Sequence, residues 1–173
     1  TGWPDTTVWS MNSESDERVS TARAMFQQAY RAQMQGLFEL AAKLYRQSIV
    51  LFPTAEACTF LGWTYHLQGK TRAAIEECKN AILIDPAYGN PYNDIGAYLI
   101  ELGELDDAVP WLERAIASKR YDAYHYPWYN LGRAYAGVNL FNKARECFEK
   151  SLSIEPRYTL AADALTGLKR SIQ

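Results

Sequence analysis

The sequence has few cysteines, few histidines and no long apolar run. Its three cysteines, Cys58, Cys78 and Cys147, are widely spaced and form no C-x-x-C pair, so neither a disulfide framework nor a zinc site is predicted. The two histidines, His66 and His125, stand far apart, with no set of cysteines or carboxylates placed around them. No apolar stretch reaches the roughly 18 residues that a membrane-spanning helix needs. We therefore expect reduced, buried thiols, no bound metal and no membrane insertion.

The sequence also lacks a charge excess and the common catalytic motifs. Its formal net charge is -2 at pH 7, whereas nucleic-acid-binding proteins usually gather a basic excess on one face. It contains no glycine-rich phosphate loop, no H-E-x-x-H and no G-x-S-x-G. We predict a protein that binds neither nucleic acid nor a cofactor and that is not an enzyme. Reduced cysteines favour the cytoplasm, and a processed or secreted N-terminus stays open as the alternative.

A repeat runs through most of the chain. Residues suited to ending a helix recur as Gly36, Gly69, Gly103 and Asn139, at steps of 33, 34 and 36 positions. Five further columns follow the same steps. They are Ala41, Ala74, Ala108 and Ala144; Ala29, Gly62, Gly96 and Gly132; Ser48, Ala81, Ala115 and Ser151; Tyr45, Cys78, Leu112 and Phe148; and Ala32, Tyr65, Leu99 and Tyr135. Six columns at one shared interval indicate four copies of a single structural unit.

Each column has a physical reason that points to pairs of packed helices. Glycine, and after it asparagine, readily adopts the left-handed conformation that ends a helix. Small residues at Gly62, Gly96 and Gly132 allow the two helices of one hairpin to approach closely. The column that ends in Ser151 is expected to do the same against the next hairpin. Large residues fill the remaining volume, because protein interiors are closely packed. The pattern predicts helix–turn–helix hairpins.

These columns resemble the tetratricopeptide repeat, a helix–turn–helix unit of about 34 residues. The fourth copy is the most similar, and its matching residues are Trp128, Leu131, Gly132, Tyr135, Ala144, Phe148, Ser151 and Pro156. The resemblance implies an all-α, right-handed superhelical solenoid of four hairpins. We place these hairpins at residues 21–54, 55–88, 89–122 and 125–158. Residues 159–173 carry an apolar stripe at helical period and are predicted to form a capping helix.

Residues 1–20 lie outside the repeat and show no helical period, yet they carry Trp3 and Trp9. Disordered tails are normally poor in aromatic residues. Three interpretations stay open for this segment. The tryptophans seal the exposed end of the first hairpin, or the segment lies along the solenoid's groove as a built-in ligand, or it is a flexible tail.

In proteins with this fold, the first helix of every hairpin lines a concave surface along which ligands usually lie. The resemblance therefore implies a groove here, formed by the face opposite the small packing columns. The predicted groove residues are Phe26, Tyr30, Phe60, Trp63, His66, Asn93, Asp94, Tyr129, Asn130 and Arg133. Its aromatic residues either contact a ligand or pack between neighbouring first helices. Trp63 favours contact, because its neighbours Gly62 and Tyr65 already occupy packing columns and tryptophan is a common interface anchor. The amides of Asn93 and Asn130 suit a ligand's backbone.

Tyr121 and Tyr124 stand in a lengthened junction between the third and fourth copies and have no assigned core position. They either form a second contact surface or fill the wider gap between the two repeats. Some members of the family clamp the C-terminal carboxylate of a chaperone with several cations, but the matching positions here do not supply two cations. Asp94 at one of them would repel an anion, so we do not expect that partner.

Taken together, these features predict a protein- or peptide-binding adaptor or assembly scaffold that uses an aromatic-rich concave groove. The alternative is a self-associating structural protein, in which the N-terminal segment fills its own groove or that of a neighbour.

Overall fold

The computed structural model describes residues 6–171 of the chain, and the side chains of residues 14–168. These residues form nine α-helices and no strand. The helices are α1 (Thr6–Met34), α2 (Phe38–Leu51), α3 (Ala55–Leu67), α4 (Thr71–Ile84), α5 (Asn90–Glu101), α6 (Leu105–Ala117), α7 (His125–Gly137), α8 (Phe141–Ile154) and α9 (Thr159–Ser171). The predicted all-α class is confirmed. None of these helices combines the length and the apolar character needed to cross a membrane.

The chain divides into two compact units, Thr1–Ile84 and Asp85–Gln173. In the first unit, α1 packs against α2, α3 packs against α4, and α2 contacts α3. In the second unit, α5 packs against α6 and α7 against α8, while α6 contacts α7 and α9 packs on α8. Each unit therefore holds two consecutive helical hairpins. The predicted four hairpins and the C-terminal capping helix are confirmed.

The four hairpin turns share one hydrogen-bond pattern, which explains the glycine column. The residues with positive φ, between 61° and 79°, are Gly36, Gly69, Gly103 and Asn139. In the first turn, the backbone N–H of Leu37 donates to the carbonyl of Ala32 at 2.9 Å, and the N–H of Gly36 donates to that of Gln33 at 3.0 Å. The same pair of bonds recurs in the other three turns. A left-handed residue at this position allows both bonds and ends the first helix.

Glycine at Gly96 and Gly132 allows close approach of the two helices within a hairpin. A Cβ atom on Gly96 would lie 2.5 Å from the side chain of Leu112, and one on Gly132 would lie 2.5 Å from the ring of Phe148. Both distances are too short for any side chain larger than a hydrogen atom. The predicted packing of small against large columns therefore holds in α5–α6 and in α7–α8.

Two serines at the same repeat position join the helices of their hairpins by hydrogen bonds. The hydroxyl of Ser48 donates to the carbonyl of Ala22 at 2.8 Å, and that of Ser151 donates to the carbonyl of His125 at 2.8 Å. Both bonds join the second helix to the first helix of the same hairpin. Each serine offers its proton to a carbonyl that lies outside its own helix. The packing of Ala81, Ala115 and Ser151 against the next hairpin stays a prediction.

The first helix is longer than the sequence analysis predicted. It begins at Thr6, so the expected lack of helix in the N-terminal segment is wrong. No proline or glycine interrupts residues 6–20, and the hydroxyl of Thr21 donates to the carbonyl of Glu17 at 2.8 Å inside the helix. By contrast, Thr54 caps α3 by accepting a backbone N–H. Without such a cap near residue 21, nothing starts a new helix there.

The two tryptophans of the N-terminal segment fall outside what the structure describes. Trp3 precedes the described residues, and Trp9 lies on α1 where side chains are not described. Their predicted role in sealing the first hairpin or in filling a groove stays a prediction.

The lengthened junction between the third and fourth copies pairs with the segment that precedes α5. The backbone N–H of Gly89 donates to the carbonyl of Arg120 at 3.0 Å, and the N–H of Arg120 donates to that of Ala87 at 3.0 Å. The guanidinium of Arg120 lies 4.1 Å from the ring centroid of Tyr88 and forms an ion pair with Asp85 at 2.7 Å. The extra residues are thus held in place by backbone and side-chain contacts.

Candidate functional site

Five aromatic rings meet on α1, α2 and α3, with Phe60 at their centre. We call this group the Phe60 cluster, and its members are Phe26, Tyr30, Tyr45, Phe60 and Trp63. The ring centroid of Phe60 lies 5.4 Å from that of Phe26, 5.8 Å from Tyr30, 6.1 Å from Tyr45 and 5.9 Å from Trp63. Most of these pairs meet edge to face, the arrangement that the charge distribution of aromatic rings favours. Four of the predicted groove residues are therefore brought together.

The members of the Phe60 cluster differ in their exposure. Tyr45 is completely buried, and Phe26 and Phe60 are half-buried. Tyr30 is 42% exposed and Trp63 is 36% exposed. The two phenylalanines thus have the packing role that the sequence analysis left open. Tyr30 and Trp63 each present part of a ring to solvent, while their other contacts hold the ring in place.

A buried hydrogen-bond network lies next to the Phe60 cluster. Gln33 is only 2% exposed, although its spacing from Tyr30 would place it on the same helix face. Its side-chain oxygen accepts hydrogen bonds from the hydroxyl of Tyr45 at 2.9 Å and from that of Thr64 at 3.2 Å. Its side-chain N–H groups have no hydrogen-bond partner among the described residues. This network was not predicted, because sequence spacing does not tell which side of α1 the second hairpin covers.

A cavity of about 360 Å³ opens beside Phe26 in the first unit. Its lining is formed by Val19, Ala22, Arg23, Phe26, Ser48, Phe52, Thr54 and Glu56. The walls are mainly apolar, with Arg23 and Glu56 as the charged members. The sequence analysis missed this cavity, because Val19 was placed in a segment without helix.

His66 lies on α3, three residues after Trp63 and therefore on the same face of that helix. It is half-buried. Among the described residues, no group of three or more His, Cys, Asp and Glu side chains is arranged to hold a metal ion. The three cysteines are buried, and burial raises the pKa of Cys58 and of Cys147 to about 11.

In the second unit, four predicted groove residues form a chain of hydrogen bonds. The guanidinium of Arg133 donates to the side-chain oxygen of Asn130 at 3.0 Å. The amide of Asn130 donates to the side-chain oxygen of Asn93 at 3.0 Å, and that of Asn93 donates to the carboxylate of Asp94 at 3.4 Å. We call this chain the Asn relay. It joins α7 to α5 and runs from a cation at one end to a carboxylate at the other.

The hydrogen bonds of the relay determine which of its two asparagine amides a ligand can reach. Asn130 is 7% exposed and uses both its oxygen and its amide within the relay, whereas Asn93 is half-buried. Asn93 is therefore the more accessible amide of the two. At the acidic end, burial raises the pKa of Asp94 to about 7, although the hydrogen bond from Asn93 acts in the opposite direction.

A second set of rings surrounds Tyr129 on α7. This Tyr129 cluster consists of His125, Tyr126, Tyr129 and Tyr158. The ring of Tyr158 lies 5.2 Å from Tyr129, 5.5 Å from Tyr126 and 5.0 Å from His125. Burial, followed by the charges of Tyr129 and Tyr126, raises the pKa of Tyr158 to about 12, while Arg133 acts to lower it. Tyr126 is 43% exposed, so this cluster also presents a ring to solvent.

Tyr158 is the functional candidate that the sequence analysis missed. It stands two residues after Pro156, as Tyr88 stands two residues after Pro86. That shared position after the second helix of a copy was the available signal. The guanidinium of Arg133 lies 5.8 Å from the ring centroid of Tyr129, which connects the Tyr129 cluster to the Asn relay.

Tyr121 and Tyr124 are both half-buried, with ring centroids 5.3 Å apart. The hydroxyl of Tyr124 donates to the carbonyl of Ser118 at 2.6 Å, and the side chain of Tyr121 packs against the backbone of Gly89. These contacts are those expected if the two tyrosines fill the gap between repeats. A second contact surface formed by them stays a prediction.

Comparison with known families gives three matches along the chain. The description Tetratricopeptide repeat fits residues 55–88, residues 92–120 and residues 125–158. Together these stretches cover more than half of the sequence.

Solved structures show the same repeat architecture. PilF of Pseudomonas aeruginosa superposes with a TM-score of 0.83 at 23% identity, over 90% of this chain and 70% of that one. MamA superposes with a TM-score of 0.71 at 27% identity, over 83% of each chain. The first TPR of Spaghetti, bound to an HSP90 peptide, gives 0.64 at 21% identity over 69% of this chain and 93% of that one. The likeness to PilF and to Spaghetti shows the fold alone.

Proposed function

Because this chain belongs to the tetratricopeptide repeat family, we propose that it binds a protein or peptide partner through the surface of its first helices, as an adaptor or assembly scaffold. Members of the family are typically non-catalytic scaffolds, and the proposal assigns no reaction to this chain. Each unit carries its own candidate surface. It is the Phe60 cluster in the first unit, and the Asn relay with the Tyr129 cluster in the second.

The observation that carries the proposal is the exposure of Tyr30 and Trp63 around a packed Phe60. Large aromatic side chains usually bury most of their area in a soluble protein, and exposed apolar patches commonly mark binding sites. Here Phe60 and its neighbours fix the two exposed rings in position. A ring that is already fixed loses little conformational entropy on binding, so it is well suited to anchor a partner. Tyrosine and tryptophan are the residues most often found in this role.

In the second unit, polar residues make the candidate surface directional. Asn93 keeps an accessible amide, and the guanidinium of Arg133 has N–H groups beyond the one used by Asn130. Such groups are suited to a ligand's backbone carbonyls, which an extended peptide presents at regular intervals. Some members of the family clamp a chaperone's carboxylate with several cations. We do not propose this for the present chain, because Asp94 stands at one of the matching positions and would repel an anion.

Peptides selected from a random display library on the purified protein test the proposal. The affinity of a selected peptide, measured by isothermal titration calorimetry, should fall at least about tenfold in Trp63→Ala, because truncating a central aromatic anchor commonly costs 2 kcal/mol or more. Circular dichroism should be unchanged. The matched control is Leu83→Ala, since Leu83 is 82% exposed on α4, a second helix. Undiminished binding to Trp63→Ala would remove the Phe60 cluster from the binding surface.

Self-association is the second candidate, and the length of α1 is the observation that favours it. Residues 6–20 continue α1 as helix beyond the span of a normal first helix, and this extra helix surface is where we propose that a second copy binds. The side chains of Glu14, Asp16, Glu17 and Arg18 on it are exposed. Sedimentation of the full chain and of a variant without the first 13 residues tests the idea. A dimer that becomes a monomer on truncation supports it, whereas a monomer in both cases excludes it.

A further inference from the structure

The hydrogen bonds of the Asn relay all run in one direction. The charged groups at its two ends differ in how many partners they have. Each donor along the relay points in the same sense, from Arg133 through Asn130 and Asn93 to Asp94. At the Arg133 end, the guanidinium has an amide oxygen at 3.0 Å and the ring of Tyr129 at 5.8 Å. At the Asp94 end, the carboxylate accepts one hydrogen bond, from the neighbouring Asn93 at 3.4 Å. A carboxylate has room for about four such bonds.

Asp85, on the segment before α5, is a carboxylate of the same unit that has both a cation and a hydrogen-bond donor as partners. Asp85 forms an ion pair with Arg120 at 2.7 Å and also accepts the backbone N–H of Ala87 at 2.9 Å. Asp94 has no ion pair within the described part of the chain, although it is half-buried. A desolvated carboxylate without a cation is unfavourable for folding. A ligand that places a cation beside such a carboxylate therefore stabilises the folded chain.

We propose that Asp94 binds a basic side chain, lysine or arginine, of the partner. This inference rests on the proposed function and specifies the chemistry of the partner at one position. The polarity of the Asn relay also orients that partner. Its basic residue lies at the α5 side, and its carbonyl or acidic groups lie toward Arg133 on α7. An acidic side chain at the Asp94 end would meet like charge and is disfavoured.

The experiment repeats the display selection on the wild-type protein and on Asp94→Asn. The wild type should enrich a lysine or arginine at one peptide position, and Asp94→Asn should lose that enrichment. Replacing the enriched residue by norleucine should weaken wild-type binding about tenfold and leave binding to Asp94→Asn nearly unchanged, as a double-mutant cycle requires for a direct contact. Asp106→Asn is the matched control, because Asp106 is an exposed acid on α6 of the same unit.

Selected peptides that bind the chain without any enriched basic residue would overturn this inference and leave the proposed function intact. Enrichment of an acidic residue, or equal enrichment of basic residues on Asp94→Asn, would overturn it as well. Loss of the Trp63 dependence would instead contradict the proposed function.

Discussion

At the scale of single residues, the structure places polar groups where a hydrophobic pattern gives no hint of them. Gln33 is the clearest example. Its position on α1 follows the helix face of Phe26 and Tyr30, yet α2 and α3 cover it and supply Tyr45 and Thr64 as partners. Thr64 also donates to the carbonyl of Phe60 at 2.9 Å, and a hydroxyl has a single proton to share between its two acceptors. The network is therefore incompletely satisfied next to the main aromatic cluster.

A double-mutant cycle between Gln33 and Tyr45 tests this network. Gln33→Met, which keeps length and volume, leaves the buried hydroxyl of Tyr45 without an acceptor and should lower the free energy of unfolding by about 1–3 kcal/mol. Tyr45→Phe should restore much of that loss in the double variant, because both unpaired groups are then gone. Urea denaturation measures the effect. Additive losses in the double variant would contradict the assignment.

The raised pKa of Asp94 predicts that the free energy of unfolding falls as pH rises. A carboxylate with a lowered pKa, the more common case, has the opposite effect. Burial raises the pKa of Asp94 to about 7, whereas the unfolded value is about 3.9. Between these values the folded chain holds a proton that the unfolded chain releases, so the free energy of unfolding falls as pH rises from about 4 to about 7.

The variant Asp94→Asn lacks this titration. A pKa difference of about three units corresponds to about 4 kcal/mol. The melting temperature of the variant relative to the wild type should therefore be higher at pH 8 than at pH 4, by about 10 °C in a chain of this size. Asp106→Asn, at an exposed acid, should show no such difference. An equal offset at both pH values would show that Asp94 is not desolvated.

At the scale of helices and turns, the repeat pattern was a good guide wherever backbone geometry decides. Asn139 takes the place of the glycine in the fourth copy and has the predicted left-handed conformation, with φ of 61°. The close approaches at Gly96 and Gly132 were also predictable, because each pairs with a large residue of the matching column. The long α1 was missed, since its first residues are polar or irregularly spaced and its helix is stabilised by continuity with the packed part.

The packing of the capping helix α9 predicts which of its leucines contributes to stability. Leu168 is 8% exposed and packs with Ala144 and Phe148 of α8, whereas Leu160 on the same helix is 51% exposed. Leu168→Ala should cost about 2–5 kcal/mol, because it opens a cavity in this core. Leu160→Ala should change stability by about 0.5 kcal/mol or less. Thermal melts of both variants provide the comparison, and equal effects would mean that α9 does not seal the second unit.

At the scale of the whole chain, the sequence was enough to identify the fold, because six columns at one interval leave few other ways to bury their apolar residues. The candidate site was only partly predictable. Helix period placed Tyr30, Trp63, Asn93 and Asn130 on the correct helices, but not their partners. Which amide meets which carboxylate depends on side-chain conformations and on neighbouring helices. For this reason the Asn relay became visible only in the structure.

The role of the first-helix surface is the central claim, and the structure of a complex tests it most directly. Crystals or NMR contacts of the chain with a display-selected peptide should show the peptide against the exposed rings of Tyr30 and Trp63, with both losing their solvent exposure. A peptide seated instead on the second helices, around Val50 or Leu83, with Tyr30 and Trp63 as exposed as before, would contradict the account.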